Sequence, residues 1–393
     1  MIPNDPAGFI RSAHGLADEI EKKKDLLISL LCQYESYDTA CDEISRSCRT
    51  LKGFSTEFRD LDHLKKYYAI STFFPINLPL YSFVLFAVAP SAFSKKVFVR
   101  PPLTVANLIK NVLKIIKSDL FFGNIEIHSS SRKEFLKDCV NDSQAVIFNG
   151  RYENVQELIR HYPYKTFIYN GRGVNPAIVG KNADIDLAVD KIIEMRVYNS
   201  GQDCAGVDAI FVSEDAYDSF VTTLRRKIAF VYAGNYNDPK VQIGKMQRPE
   251  YINELRDFLR SMDDSITLRG KIDLEKNIVT AFIIEREITE HTGDFPEFFG
   301  PIFYILRYSN DSELLNILNT PFYSDYAMYA STFGTSTKFN LKIPNSRVLV
   351  DKIINDVEIG NEAYGGYGPK ANFIYKNNCY EARPILISQE LPT

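Results

Sequence analysis

Apolar residues recur at helical spacing in the first part of the chain, at Leu26, Leu27, Leu30 and Leu31 and again at Ile44, Cys48 and Leu51, with charges between them. That period predicts two or three amphipathic helices within 8–58, which read as scaffold. From Tyr67 the pattern changes to short runs rich in β-branched and aromatic residues, at 68–74, 95–100, 123–129 and 144–150, separated by helical stretches at 77–93, 105–117 and 132–140. A second alternation follows. Strands are predicted at 165–171, 208–213, 277–285 and 302–308, with helices at 185–197, 214–228 and 249–261, the second of these capped by Ser213. Repeated alternation of this kind predicts parallel sheets wrapped by helices, with ligands bound beyond the carboxyl ends of the strands.

The chain of 393 residues is longer than one hydrophobic core normally serves, so two α/β domains are expected. Lys and Arg number 46 against 50 Asp and Glu, a net charge of −4 with no basic block to follow a phosphate backbone, so no nucleic-acid partner is expected. The first residues have no apolar core between a basic start and a small-residue cleavage site, and the expected location is cytoplasmic. The apolar stretch 77–93 is shorter than the roughly 20 residues of a membrane span and carries Pro79 and Pro90, so it reads as a buried helix. Six scattered cysteines and five histidines lack metal-ligand spacing, and no metal site is expected. No G-x-G-x-x-G follows a strand in either half, so a nucleotide must be argued from other residues.

The segment Asn199-Ser200-Gly201-Gln202-Asp203-Cys204-Ala205-Gly206 sets one thiol among small residues between a helix and a strand. A nucleophilic cysteine needs an accessible sulfur, and backbone N–H groups at a loop or helix end can stabilise thiolate and oxyanion. Taken alone, a cysteine beside a glycine is more often an inert small hydrophobe. The wider pattern is what changes that reading. Asn199, Gly201, Gln202 and Cys204 match N-x-G-Q-x-C, and Pro75-Ile76-Asn77-Leu78-Pro79 is similar to P-W-N-F-P. The run ending Val99-Arg100-Pro101 is similar to V-x-L-K-P, Glu297-Phe298-Phe299-Gly300-Pro301 matches E-x-F-G-P, and Tyr364-Gly365-Gly366 is similar to P-F-G-G. In this order and spacing the chain resembles the aldehyde dehydrogenase superfamily.

The resemblance implies an α/β, aldehyde-dehydrogenase-like fold of two related parallel-sheet domains with a short oligomerisation element. It makes Cys204 the nucleophile and Asn77 a donor to the developing oxyanion, although Asn77 also reads as the N-cap of the following helix. Arg100 falls near the adenosine ribose in place of a lysine, Glu297 at the nicotinamide ribose and Phe299 beside the nicotinamide. Phe148-Asn149-Gly150-Arg151 resembles F-T-G-S, with Gly150 and Arg151 toward the pyrophosphate and Val155 where a second glycine is common. Pro101-Pro102-Leu103 lacks the glutamate that NAD-preferring members often carry, which tips the cofactor from NAD toward NADP.

A sharper departure lies at Asn170-Gly171-Arg172-Gly173-Val174-Asn175-Pro176. Acid-forming members have E-L-G-G-K-x-P there, and the ungapped run to Cys204 sets Asn170 in place of the glutamate that activates water. An amide cannot take that proton, and general-base help contributes about 10²–10⁴-fold. Members acting on acyl thioesters commonly lack this glutamate and exchange the enzyme thioester with coenzyme A or another thiol. The leading expectation is therefore an NAD(P)(H)-dependent acyl-CoA reductase, or acylating aldehyde dehydrogenase, working on an acyl thioester/aldehyde pair. The alternatives are an ordinary aldehyde dehydrogenase forming a carboxylic acid and a catalytically silent partner-binding paralogue. Expected domains are 1–172 for the nicotinamide cofactor with the N-terminal helices, 173–355 for the nucleophile, and 356–393 as a return segment and oligomerisation tail. The stretch 51–67 leaves little room for a long oligomerisation hairpin, the tail from Tyr375 can add as a strand to a neighbouring subunit, and a homodimer or homotetramer is expected.

Overall fold

The computed structural model describes residues 6–58, 67–291 and 298–391. Strands β1 (Tyr67–Phe73), β2 (Ser94–Arg100), β3 (Ile125–Ile127), β4 (Ala145–Asn149) and β5 (Thr166–Asn170) form a parallel sheet in the order β5-β4-β1-β2-β3. β4 and most of β1 are buried, as expected where helices cover both faces and the sequence runs apolar without alternation. The strand order reverses between β1 and β4, which opens a crevice at their carboxyl ends. Phe73 and Phe148 stand in register there, and the Asn149 amide donates to the Phe73 carbonyl at 2.9 Å.

The chain leaves this sheet after Asn170 and enters a second one at Asn175. β6 (Asn175–Val179) and β7 (Val207–Ser213) join strands Phe282–Glu287, Ile302–Tyr308, Tyr329–Phe333 and Arg347–Val350 in parallel, and Ile266–Leu268 is added antiparallel at one edge. The strands at 175–179, 329–333 and 347–350 were not legible as periodic runs, because each is short and the first opens on Asn-Pro. Strand Asn372–Lys376 then returns to the first sheet, antiparallel to β5, and Cys379–Glu381 pairs with it. The strands around Tyr375 thus add to the chain's own sheet beside β5.

The helix predicted at 77–93 is Pro79–Phe83, a π-helical turn Val84–Val88, and Ala89–Ser91. Pro90 has no N–H to give, and the wider turn before it absorbs the missing bond. Helices Ile185–Val197, Glu214–Ile228 and Pro249–Ser261 lie where the pattern put them. Ser213 holds the N-cap position of the second, but its hydroxyl accepts no amide of the first turn. Helices Pro6–Lys22, Lys24–Leu31 and Tyr37–Glu57 account for the N-terminal period. The last of them reaches both loops of the site below.

Candidate active site

After helix Ile185–Val197 the chain makes three left-handed residues in a row, Asn199 (φ 47°), Ser200 (φ 59°) and Gly201 (φ 76°). Left-handed backbone costs non-glycine residues roughly 1–3 kcal/mol each and persists only where neighbours dictate it. Here they do. The Asn199 backbone N–H donates to Thr39 Oγ1 at 3.2 Å, Gly244 N–H to Ser200 Oγ at 2.8 Å, and Gln247 N–H to Gln202 Oε1 at 2.8 Å. A Cβ on residue 201 would lie 2.6 Å from the Gly300 carbonyl, so only glycine lets the 298–301 segment pass. The fully buried Arg196 donates to the carbonyls of Gly201 and Val207, each at 2.7 Å, and to that of Phe298. Two of the sequence motifs are thus clamped together by one guanidinium.

Cys204 follows this turn, partly exposed to a cavity of about 640 Å³. The Asn175 amide holds its carbonyl at 2.9 Å, and its sulfur lies 3.5 Å from the Tyr364 hydroxyl. The thiols of Cys32, Cys48 and Cys139 are buried, and burial pushes each up to about 11, away from reactivity at neutral pH. Ala205 N–H donates to Asp203 Oδ1 at 2.8 Å and Gly206 N–H to the Asp203 carbonyl at 3.1 Å.

Asn77 and Asn170 line the same cavity as Cys204. Asn77 does not cap the next helix: Leu78, left-handed at φ 49°, is the N-cap, without a capping side chain. The cap comes from Glu43 of helix Tyr37–Glu57, whose Oε2 accepts from Leu80 and Tyr81 N–H at 3.2 Å each. The same helix supplies Thr39 to Asn199 and Asp42 to the Tyr198 hydroxyl at 2.7 Å, so the segment that read as scaffold holds both loops. Glu43, Thr39 and Asp42 carried no motif, and nothing in the local pattern marked them. Asn170 ends β5 at the crossing between the sheets, and the Arg172 guanidinium beyond it lies over the Tyr326 ring at 4.8 Å.

The other end of the cavity is the crevice at β1 and β4. Arg100 ends β2 there, its Nε donating to the Ser130 carbonyl at 3.3 Å. Burial and then Arg132, which lines the same cavity, push its guanidinium below the usual range. Arg132 was missed by sequence reasoning, because it follows a helix cap like any surface residue. Gly150 and Arg151 line the cavity where helix Tyr152–His161 begins, with Arg151 at the N-cap and 3.9 Å from Glu254. Val155 points away from the cavity into the core around Phe73 and Phe148, which explains a bulky residue at that position. Phe299 stacks on Tyr251 with centroids 4.7 Å apart and lines the cavity, while Phe298 is buried. Glu297 lies outside the described residues.

Among the described residues no group of acidic, His and Cys side chains is arranged to hold a metal, and no helix is long and apolar enough to cross a membrane. The profile of the Aldehyde dehydrogenase family matches residues 13–369. A lactaldehyde dehydrogenase of Methanocaldococcus jannaschii is 25% identical over 314 residues, 76% of this chain and 65% of that protein. A 3-sulfolactaldehyde dehydrogenase of Priestia megaterium is 28% identical over 226 residues, 56% of this chain and 46% of that one. The chain therefore spans about half to two thirds of the length of these relatives. Among solved structures, glyceraldehyde-3-phosphate dehydrogenase of M. jannaschii complexed with NADP superposes with a TM-score of 0.79 at 20% identity, over 96% of this chain and 86% of that one. The 1-pyrroline-5-carboxylate dehydrogenase of Thermus thermophilus gives 0.82 at 14% identity, over 99% and 80%. At these identities the likeness is one of fold.

Proposed function

The chain belongs to the aldehyde dehydrogenase family, and from that premise we propose that it is an NAD(P)(H)-dependent oxidoreductase acting on an acyl thioester/aldehyde pair through Cys204. The observation that carries the reading is an amide, Asn170, in the cavity that holds the Cys204 sulfur, at the position where acid-forming members have their base. The half-buried carboxylates that line the cavity are already engaged. Glu358 pairs with Arg46 at 2.5 Å, Glu57 accepts from the Asn361 amide at 2.6 Å, and Asp203 accepts from Ala205 N–H. Activation of water is therefore poorly served, and a thioester at Cys204 leaves by thiol exchange or by reduction.

In the reductive direction the Cys204 thiolate attacks the thioester carbonyl carbon and expels coenzyme A or another thiol with the bonding pair. Asn77 is the side-chain donor we assign to the oxyanion. A reduced nicotinamide, when bound, supplies the hydride. Collapse to aldehyde returns the electron pair to sulfur. The cofactor's place in this reading is the crevice at β1 and β4, where Gly150 and Arg151 at the start of helix Tyr152–His161 would hold its pyrophosphate and Phe299 would pack by its nicotinamide. Arg100 beside Arg132 supports NADP over NAD, since a 2′-phosphate offsets the repulsion between two neighbouring cations. The division into 1–172, 173–355 and 356–393, and assembly as a homodimer or homotetramer, belong to the same proposal.

The test is a screen of acyl-CoAs with NADPH and NADH, and of aldehydes with the oxidised cofactors with and without added thiol. Thioester-dependent oxidation of NADPH is expected, with little free acid from aldehyde unless a thiol is present. Rapid thiol-independent acid release would overturn the reading in favour of the ordinary dehydrogenase. Failure to bind either cofactor would favour the silent paralogue.

A further inference from the structure

Residues 35–43 reach both loops of the site, and the run begins and ends on a glutamate. Glu35 precedes the N-cap Ser36 and is 2% exposed, and Glu43 is fully buried two turns into the helix. Glu43 Oε2 is committed to the Leu80 and Tyr81 N–H groups. The turn that this cap fixes also holds Asn77, whose carbonyl accepts from the Ser82 hydroxyl at 3.2 Å, while the Ser82 N–H donates to the Leu78 carbonyl at 2.8 Å. On the other side the Ser36 hydroxyl meets Thr39 Oγ1 at 2.8 Å, and Thr39 Oγ1 accepts from Asn199 of the nucleophile loop.

The two carboxyls are in hydrogen-bond contact with each other, yet Oε1 of each meets no N–H or hydroxyl donor among the described residues. Two buried acceptors in contact repel unless one of them brings a proton. Glu43 is the one that stays charged, because its two backbone N–H bonds favour the carboxylate, whereas burial and then Glu43 oppose a charge on Glu35. The other groups facing the pair are Cys32, Asp42 and, from the segment 232–243, Tyr236, whose hydroxyl meets Ser200 of the nucleophile loop at 2.5 Å. Arg46, the cation one turn further along the helix, is taken by Asp42 at 2.8 Å and by Glu358 at 2.5 Å.

We propose that Glu35 is a positioning residue: it shares one proton with Glu43, and this bond holds in place the cap of the helix behind Asn77. When the proton leaves, two like charges stand in contact away from water, and Glu43 is driven from the Leu80 and Tyr81 amides. Unfolded carboxyls have lost their protons well below neutral pH, so the bond and the cap are full at acid and neutral pH and fail as pH rises further. The shared proton is independent of any chemistry at Cys204, while its consequence for turnover rests on Asn77 as donor to the oxyanion.

The test follows amide hydrogen exchange in the peptide carrying Leu80 and Tyr81, on the full-length protein at stepped pH and corrected for the intrinsic rate. In the parent, protection should fall about tenfold between neutral and about pH 10, the worth of a hydrogen bond to a charged group. Glu35→Gln, whose amide donates to Glu43 at every pH, should keep the protection throughout, and Glu35→Leu should lose it already at neutral pH. An infrared difference spectrum between the parent and Glu35→Gln at neutral pH should show one protonated carboxyl lost. Absence of that band would overturn the proposal, as would the same pH dependence of protection in the parent and in Glu35→Gln. Neither readout needs a cofactor or turnover. The ratio of Glu35→Gln to parent turnover, in which titration of Cys204 cancels, should rise over the same pH range. Protection that behaves as expected with a flat ratio would support the shared proton and the cap while sinking Asn77 as the oxyanion donor.

Discussion

The Tyr364 hydroxyl and the Cys204 sulfur, 160 residues apart in the chain, lie 3.5 Å from each other. Family members resembling this chain carry phenylalanine in the corresponding P-F-G-G loop, so the hydroxyl is an addition. Burial, and then the neighbouring Cys204, hold the Tyr364 phenol well above its ordinary value, which keeps it protonated and able to donate. A donor to sulfur favours the thiolate.

Tyr364→Phe should therefore slow the labelling of Cys204 by iodoacetamide at neutral pH. A hydrogen bond of about 1 kcal/mol corresponds to roughly fivefold. Peptide mapping by mass follows the rate at each cysteine, and an unchanged Cys204 rate would show that the hydroxyl does not act on the sulfur.

Asn170→Glu places a carboxylate at the end of β5, in the cavity with Cys204. Acid formation from aldehyde and oxidised cofactor should rise about 10-fold or more, and thiol-dependent flux should fall. Arg172 is engaged with the Tyr326 ring, which limits its pull on the new carboxylate. Product analysis with and without thiol gives the partition. A variant that gains no acid while its fold is intact would count against Asn170 standing in the base position.

Arg132→Ala removes one of two neighbouring cations at the crevice, along with its contact to Glu157 at 3.1 Å. Loss of a charge-assisted contact to a 2′-phosphate should weaken NADPH about tenfold and leave NADH within about twofold. Fluorescence titration of the two cofactors separates these outcomes, and equal loss for both would remove the argument for NADP.

Asp208 is buried behind the nucleophile loop, where its Oδ2 accepts from Asn175 N–H at 3.0 Å and its Oδ1 lies 3.9 Å from Arg196. Burial, partly offset by Arg196, pushes its carboxyl up to about 6. Between the ordinary carboxylate value and about pH 6 the folded state holds a proton that the unfolded chain has lost. Stability from this group is therefore full at acid pH and falls as pH rises through that window, by up to about 3 kcal/mol. Urea unfolding at stepped pH should show the parent losing that much relative to Asp208→Asn between about pH 4 and 6.5. A pH-independent difference would mean that Asp208 is not protonated in that range.

The alternation of apolar runs fixed β1, β2, β4, β5 and β7 and the helices at 185–197, 214–228 and 249–261, because buried parallel strands and amphipathic helices each impose a period on a single short stretch. Family motifs were likewise legible as local strings, and they brought Cys204, Asn77, Asn170, Arg100 and Phe299 forward together. What the strings did not contain were the residues that act on them from far along the chain. Glu43 caps the helix after Asn77, Thr39 accepts from Asn199, Arg132 stands beside Arg100, and Tyr364 reaches Cys204. Strand Asn372–Lys376 was hidden for the same reason, since its partner β5 lies about 200 residues earlier. A period or a motif records what a residue does to its neighbours in sequence, whereas a cap, a cation pair or a hydroxyl on a sulfur is set by distance in space, which exists only once two sheets and the helix across them have packed.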